Sequence, residues 1–313
     1  MVSVRSFLHA CQRFLGHLAD VQAKWLAVAA LLLAVNLMLR SRGWQNILRA
    51  AYPDSRIRLR DAAAAYMIGV GVNTFAPARG GDVVKVYVID QKVEEANAPT
   101  TVATLIVETI FDFFAGGVLL IWAYVTGAIP RLPEIPHAPA FEFSLIARHE
   151  TASAIVLVVV LAAGIVTVRW LSHHARRFWI RVQQGVSILR TPRRYLTGVV
   201  PYQALGWSCR IASAYYMLEA FNIEPTIRRA LLVVAVGVVS TMLPFTPGGA
   251  GAQQALLAIV LAGASSSAEI LAFSVGNQAV ATVTSGTVGV LAMLIVFRHL
   301  RIGRLRTHAA ATP

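Results

Sequence analysis

The stretch Asn73-Thr74-Phe75-Ala76-Pro77-Ala78-Arg79-Gly80-Gly81-Asp82 sets a proline, a glycine pair and two opposite charges between an apolar run, Ala62 to Val72, and a mostly apolar one, Val83 to Ile89. In hydrocarbon every backbone N–H and C=O needs an internal partner, so a broken helix survives only where protein or a water-filled cavity surrounds it. The proline ends the incoming helix, the glycines permit close backbone approach, and a helix restarting near Gly80 would turn free N–H groups toward an anion. The break is therefore a candidate substrate site.

Its surroundings are membrane-like. Of the 313 residues 57% are hydrophobic and 14% charged, and the mean hydropathy is +0.62. Such a chain is expected to be an all-α polytopic membrane protein. The formal charge of +13 could attract nucleic acid, but Lys and Arg cluster between apolar spans, as in cytoplasmic loops of membrane proteins. Cys11 and Cys209 make no disulfide framework, and the eight histidines lack zinc-ligand spacing. No Walker loop, Rossmann glycine pattern or serine nucleophile elbow is present. We therefore expect no metal, no cofactor and no enzyme chemistry. Residues 1–24 hold no continuous hydrophobic region of the signal-peptide kind, so nothing looks cleaved.

Along the chain, Phe7, Leu8, Cys11, Phe14, Leu15 and Leu18 recur at helical spacing, which reads as an amphipathic lead helix on the membrane surface or a plain connecting helix. Full spans are expected at Trp25 to Leu39 (short for a crossing unless flanking Lys24 and Arg40 snorkel), Val102 to Ile129, Thr151 to Val168, Val199 to Phe221 and Ile270 to Phe297. A basic segment, Arg40 to Arg60, follows the first. A proline-marked loop, Pro130 to Glu150, suits the outer side, and Arg169 to Arg194, free of acids and interleaved with apolar residues, reads as a cytoplasmic interfacial helix. The tail beyond Phe297 is basic as well. A second break, Pro244-Phe245-Thr246-Pro247-Gly248-Gly249-Ala250-Gly251, divides Ala230 to Leu243 from Ala255 to Ala262.

With the basic segments inside and the proline loop outside, crossings balance only if Ala62 to Ile89 forms a hairpin entered from the cytoplasm and Ala230 to Ala262 one entered from outside. Each half then reads as span, broken re-entrant hairpin, span, in opposite orientation, the inverted-repeat arrangement of secondary transporters. A single membrane domain is expected: a lead over 1–24, a first repeat half over 25–130, an outer loop, connecting span and basic helix over 131–197, a second half over 198–297 and a cytoplasmic tail over 298–313. The N-terminus would lie outside and the C-terminus in the cytoplasm, at the cell inner membrane.

Glu108 and Asp112 stand four residues apart on one helical face. A charge at mid-bilayer costs roughly 2.5 to 3.5 kcal/mol, so the pair must face protein or water, or be protonated. Arg79, Asp82 and Lys85 at the first break and Arg210 in the later span are the available partners. Either Arg79, helped by Lys85 or Arg210, holds an anionic headgroup, or a buried network such as Arg79 with Asp112 fixes the packing. The second break has no charge. Thr246, Gly248, Gly249, Gly251 and Gln254 offer backbone N–H groups and neutral polar side chains for a phosphate or sugar, or form a close-packed glycine turn.

At these breaks the chain resembles the flippase-like transmembrane family named after lysylphosphatidylglycerol synthase. Pro77, Arg79, Gly81, Asp82 and Lys85 match a Pro-x-Arg-x-Gly-acid motif with a following base, and Pro247, Gly248, Gly249 and Gly251 match Pro-Gly-Gly-x-Gly-x-x-Glu, with Gln254 at its last position. Arg42 and Trp44 partly meet an aromatic-basic signature. Glu108 and Asp112 meet an acidic helix in which Thr109 stands for the usual arginine. The resemblance implies movement of a lipid with an anionic headgroup between leaflets, by a stand-alone member lacking the synthase's aminoacyltransferase domain. The expected partners are membrane lipids, anionic phospholipid or polyprenyl-phosphate-linked, with homo-oligomerisation left open. A transporter of a small anionic or polar solute and a non-transporting membrane partner of a lipid-modifying enzyme are the alternatives.

Overall fold

The computed structural model describes residues 21–76, 80–127, 179–242 and 251–309. Among them the secondary structure is helical, with one isolated bridge between Ala262 and Ser265. In chain order the helices are α1 (Ala23–Ala51), α2 (Leu59–Asn73), α3 (Gly80–Asp90), α4 (Ala98–Val125), α5 (Pro192–Gly198), α6 (Val200–Ala220), α7 (Ile227–Met242), α8 (Ala252–Val260) and α9 (Ser267–Ala309). A helical stretch over 179–185 and a 3-10 turn, Ser187–Arg190, lead into α5.

Three of these helices, α1, α4 and α9, are long and apolar enough to cross a membrane. With 21 residues α6 has the length but also carries Gln203 and Arg210. By contrast α2, α3, α7 and α8, of 15, 11, 16 and 9 residues, fall short of the roughly 20 a crossing needs. The lead helix, the outer loop and the span at Thr151 to Val168 lie outside the described residues.

One expectation is corrected here. The first helix does not stop at Leu39: α1 runs twelve residues further, to Ala51. Arg40, its side chain 14% exposed, turns inward onto carboxylates instead of snorkelling to an interface, so nothing ends the helix there.

In lipid, helices gain little from apolar contact alone, and close approach through small residues takes its place. α1 lies antiparallel to α6: Gln22 N–H donates to Ala220 O at 2.9 Å at one end, and Asn46 Nδ2 donates to Gly198 O at 2.6 Å at the other. Midway, a Cβ added to Gly206 would sit 2.8 Å from Asn36 Oδ1 and 3.4 Å from Arg40 Cγ. α2 crosses α9 where a Cβ on Gly289 would come within 2.9 Å of Gly71 Cα. α3 folds back on α2 so tightly that a Cβ on Gly81 would lie 1.9 Å from Gly69 O. α7 packs on α4 and α6, and α8 on α7 and α9. Around this interior the outer face of α4 exposes Ile106, Phe113, Phe114 and Ile121, and α9 exposes Val283, Val290 and Leu294, an apolar surface suited to acyl chains.

The two ends of the bundle differ in charge. At one, Gln184 Nε2 donates to Ala51 O and Ser187 Oγ to Ala50 O, each at 2.8 Å, and Thr100 Oγ1 donates to Arg181 O at 2.9 Å. These bonds bring 181–198 against the junction of α1 and α2, so Arg49, Arg56, Arg58, Arg60, Arg181, Arg190, Arg193 and Arg194 stand exposed at the same end. At the opposite end, where α6 gives way to α7, the basic residues Arg228 and Arg229 are matched in number by the acids Glu219 and Glu224, and Arg229 pairs with Glu224 at 2.7 Å.

Candidate functional site: a charge chain across the bundle

Helical spacing puts Asn36, Arg40 and Trp44 on one face of α1, four residues apart, and that face turns inward. The same register on α4 brings Glu108 and Asp112 toward Arg40. Its Nη1 donates to Asp112 Oδ1 at 3.1 Å and its Nη2 to Asp112 Oδ2, a bidentate fork. Nε donates to Glu108 Oε1 at 3.1 Å, and Nη2 reaches the same oxygen.

Neighbouring helices complete the shell. Tyr66 of α2 accepts from Arg40 Nε at 2.7 Å and donates to Glu108 Oε1 at 3.0 Å. From α6, Trp207 Nε1 donates to Asp112 Oδ1 at 2.9 Å and Gln203 Nε2 to Glu108 Oε1 at 3.4 Å. The cation that answers both Glu108 and Asp112 is thus Arg40, at the flank of the expected first span. Arg79 lies outside the described residues.

The chain of charge continues both ways. Lys85, 5% exposed, stacks its ammonium 4.4 Å from the Tyr66 ring centroid and pairs with Asp82 at 2.9 Å. Its stem fills the groove that Gly69 leaves open: a Cβ there would lie 2.3 Å from Lys85 Cγ. Asp82 also accepts from Asn73 Nδ2 at 3.3 Å, and Asn73 Oδ1 accepts from Gly81 N–H at 2.7 Å, which ties the end of α2 to the start of α3. On the other side the Arg210 guanidinium lies 5.5 Å from the Trp207 ring centroid and beside Gly237 of α7. No carboxylate pairs with Arg210 among the described residues. Asp82, Lys85, Glu108, Arg40, Asp112 and Arg210, bridged by the Tyr66 and Trp207 rings, form a line of alternating sign from α3 to the α6–α7 interface.

The structure therefore gathers Gly81, Asp82, Lys85, Glu108, Asp112 and Arg210, six of the residues expected to form a site, with Gly80 opening α3 beside them. Thr246, Gly248 and Gly249, like Arg79, lie outside the described residues. Gly251 and Gln254 play a local part: Gly251 adopts φ +86°, and its N–H donates to Gln254 Oε1 at 2.6 Å, which caps α8. Thr109 turns its hydroxyl back to Ile106 O at 2.8 Å.

Sequence reasoning missed Arg40, Tyr66, Gln203 and Trp207. The signal was present in the polar positions Asn36 and Arg40 on one face of α1, and in Gln203, Trp207 and Arg210 at helical spacing on α6.

Among the described residues two buried polar atoms lack a hydrogen-bond partner, the Tyr195 hydroxyl of α5 and, within this chain, Gln203 Oε1. Burial pushes the Tyr195 phenol up, and Asp112 and Glu108 push it further, so at neutral pH it stays a protonated donor. No group of three metal-ligating side chains occurs among the described residues.

No curated protein and no solved structure matches this chain. A family model does: the lysylphosphatidylglycerol synthase TM region aligns with residues 10–289, across the broken apolar segments and the whole charge chain. The protein belongs to that family of membrane proteins, which is linked to lipid handling.

Proposed function

We propose that the protein moves a lipid with an anionic or phosphate-containing headgroup between leaflets, without enzyme chemistry. The headgroup travels along the charge chain while its acyl chains remain against the apolar outer faces of α4 and α9. The observation that carries this reading is Arg210, a guanidinium inside the bundle with no carboxylate partner among the described residues. A cation at that depth is costly unless an anion meets it. The remaining charges occur with opposite neighbours, so a passing phosphate can exchange partners along the line without stranding a charge.

In this reading α2–α3 and α7–α8 are re-entrant hairpins of two inverted repeats. Support comes from their length, and from the packing of α2 on α9 and of α7 on α4, each hairpin against the last helix of the other half. The basic end is cytoplasmic at the cell inner membrane, with the C-terminus on that side. Arg79 at the first break and Thr246, Gly248 and Gly249 at the second supply further headgroup contacts. Anionic phospholipid and polyprenyl-phosphate-linked lipid are the substrate classes that fit.

The test is transbilayer movement of fluorescent anionic lipid in proteoliposomes. Arg210→Ala and Arg79→Ala should each slow it at least about tenfold, the effect of some 1.4 kcal/mol. Movement no faster than in protein-free liposomes would remove the function, and variants as fast as wild type would remove those arginines from the path.

A further inference from the structure

Residues 179–198 lie as a strap across the basic end of the bundle and grip the ends of two helices. On α1, Ala51 O accepts from Gln184 Nε2 and Ala50 O from Ser187 Oγ, each at 2.8 Å. On α4, Thr100 Oγ1 donates to Arg181 O at 2.9 Å, and Gly185 sits so close that a Cβ there would lie 2.4 Å from Thr100 O and 2.5 Å from Ala103 Cβ. Ile188 is buried on this inner side. These are the two helices that carry Arg40 and its carboxylates. The outer side of the strap is of mixed character: Trp179, Ile180, Leu189 and Leu196 are exposed beside the exposed Arg181, Arg190, Arg193 and Arg194. The strap contains no acid, and none of these four arginines pairs with a carboxylate among the described residues. The exposed acids of this end, Asp54, Asp90, Glu94 and Glu95, stand at the α1–α2 and α3–α4 turns instead.

Exposed tryptophan and leucine among arginines suit the boundary of a bilayer, where the apolar groups enter the acyl region and the guanidinium groups meet phosphate. The depth agrees. Ala50 stands ten residues beyond Arg40 on α1, roughly 15 Å along the axis, which is half of a ~30 Å hydrocarbon core. With the charge chain near mid-bilayer, the strap falls at headgroup level. We infer that the strap is a membrane-surface anchor: its outer face binds the anionic headgroups of the surrounding leaflet, and its inner face pins the ends of α1 and α4 over the charge chain. The lipids it holds are bulk lipids of that leaflet, bound outside the bundle and not moved. The anchor therefore stands whether or not the protein moves lipid.

The experiment follows amide hydrogen exchange of the full chain in nanodiscs of dioleoylphosphatidylcholine, alone or with a quarter of the lipid replaced by dioleoylphosphatidylserine. Residues 179–198 should exchange at least about fivefold more slowly with the anionic lipid, the scale of one arginine at a charged surface, and concentrated salt should abolish the difference. Arg190→Gln, Arg193→Gln and Arg194→Gln combined, all surface changes, should abolish it as well and leave exchange in phosphatidylcholine unchanged. Residues 98–104 should slow together with the strap; if they do not, the pinning of α4 is overturned. Arg210→Ala should keep the full slowing, and its loss there would mean that a lipid inside the bundle causes the effect, which overturns the anchor. Equal exchange of wild type in the two lipids overturns it too. Slowing by soluble polyglutamate but not by phosphatidylserine would assign the face to an acidic protein, with the same consequence. None of these failures touches lipid movement in proteoliposomes, which reads transport and not the strap.

Discussion

Arg40 of α1 forks onto both oxygens of Asp112 and, through Nε and Nη2, also holds Glu108 one helical turn earlier on α4. One guanidinium thus answers for two carboxylates inside the bundle. Removing it should be among the most damaging single changes in the chain. Arg40→Ala leaves uncompensated buried charge, and we expect a stability loss of about 3–5 kcal/mol, read as a lower melting temperature in detergent. Arg40→Lys should recover only part, because an ammonium cannot make the bidentate fork.

The triple variant Arg40→Met, Glu108→Gln, Asp112→Asn separates folding from function. Replacing a whole buried ionic group by neutral residues of similar volume is often close to neutral in stability. The triple variant should melt close to wild type, well above Arg40→Ala, and lose lipid movement in proteoliposomes. A triple variant that melts as low as Arg40→Ala would mean that the ions themselves hold the bundle together.

Gly81→Ala tests the α2–α3 contact. Its new methyl would lie 1.9 Å from Gly69 O, a backbone atom that cannot rotate away. The hairpin must open, at a cost of order 1–3 kcal/mol, and Lys85 should lose its seat over Tyr66. Gly117→Ala, where a Cβ meets nothing within 4 Å, is the matched control and should leave the melting temperature unchanged.

At the second break the cap on α8 predicts a simple series. Gln254→Glu keeps an oxygen for Gly251 N–H and should be tolerated, whereas Gln254→Ala should cost about 1 kcal/mol. Gly251→Ala should cost a similar amount or more, because φ +86° is strained for any residue with a Cβ. Thermal melts of the three variants check the order.

The proposed sidedness rests on the charge asymmetry of the two ends and can be tested directly. On a cysteine-free background, Ser55→Cys should react with an impermeant maleimide only after the inner face is opened, and Glu224→Cys should react in intact cells. Both cysteines reacting from the same side would sink the proposed topology.

The sequence by itself determined the helical membrane class, the two proline-glycine breaks, and Glu108 and Asp112 as a pair that must find opposite charge. These are properties of hydropathy, backbone chemistry and helical period, which act within one segment. Tertiary structure decided which cation answers that pair. Arg79, Lys85 and Arg210 were equally available on paper, and Arg40 read as a snorkelling flank because a basic residue at the end of an apolar run usually reaches the interface. Only the antiparallel approach of α1 to α6 across Gly206 buries it beside α4. Tertiary structure likewise turned Lys85 from a free headgroup contact into the partner of Asp82, and left Gln203 Oε1 and the Tyr195 hydroxyl unmet. Partner choice depends on distances between helices far apart in the chain, and periodicity within a helix holds no record of those distances.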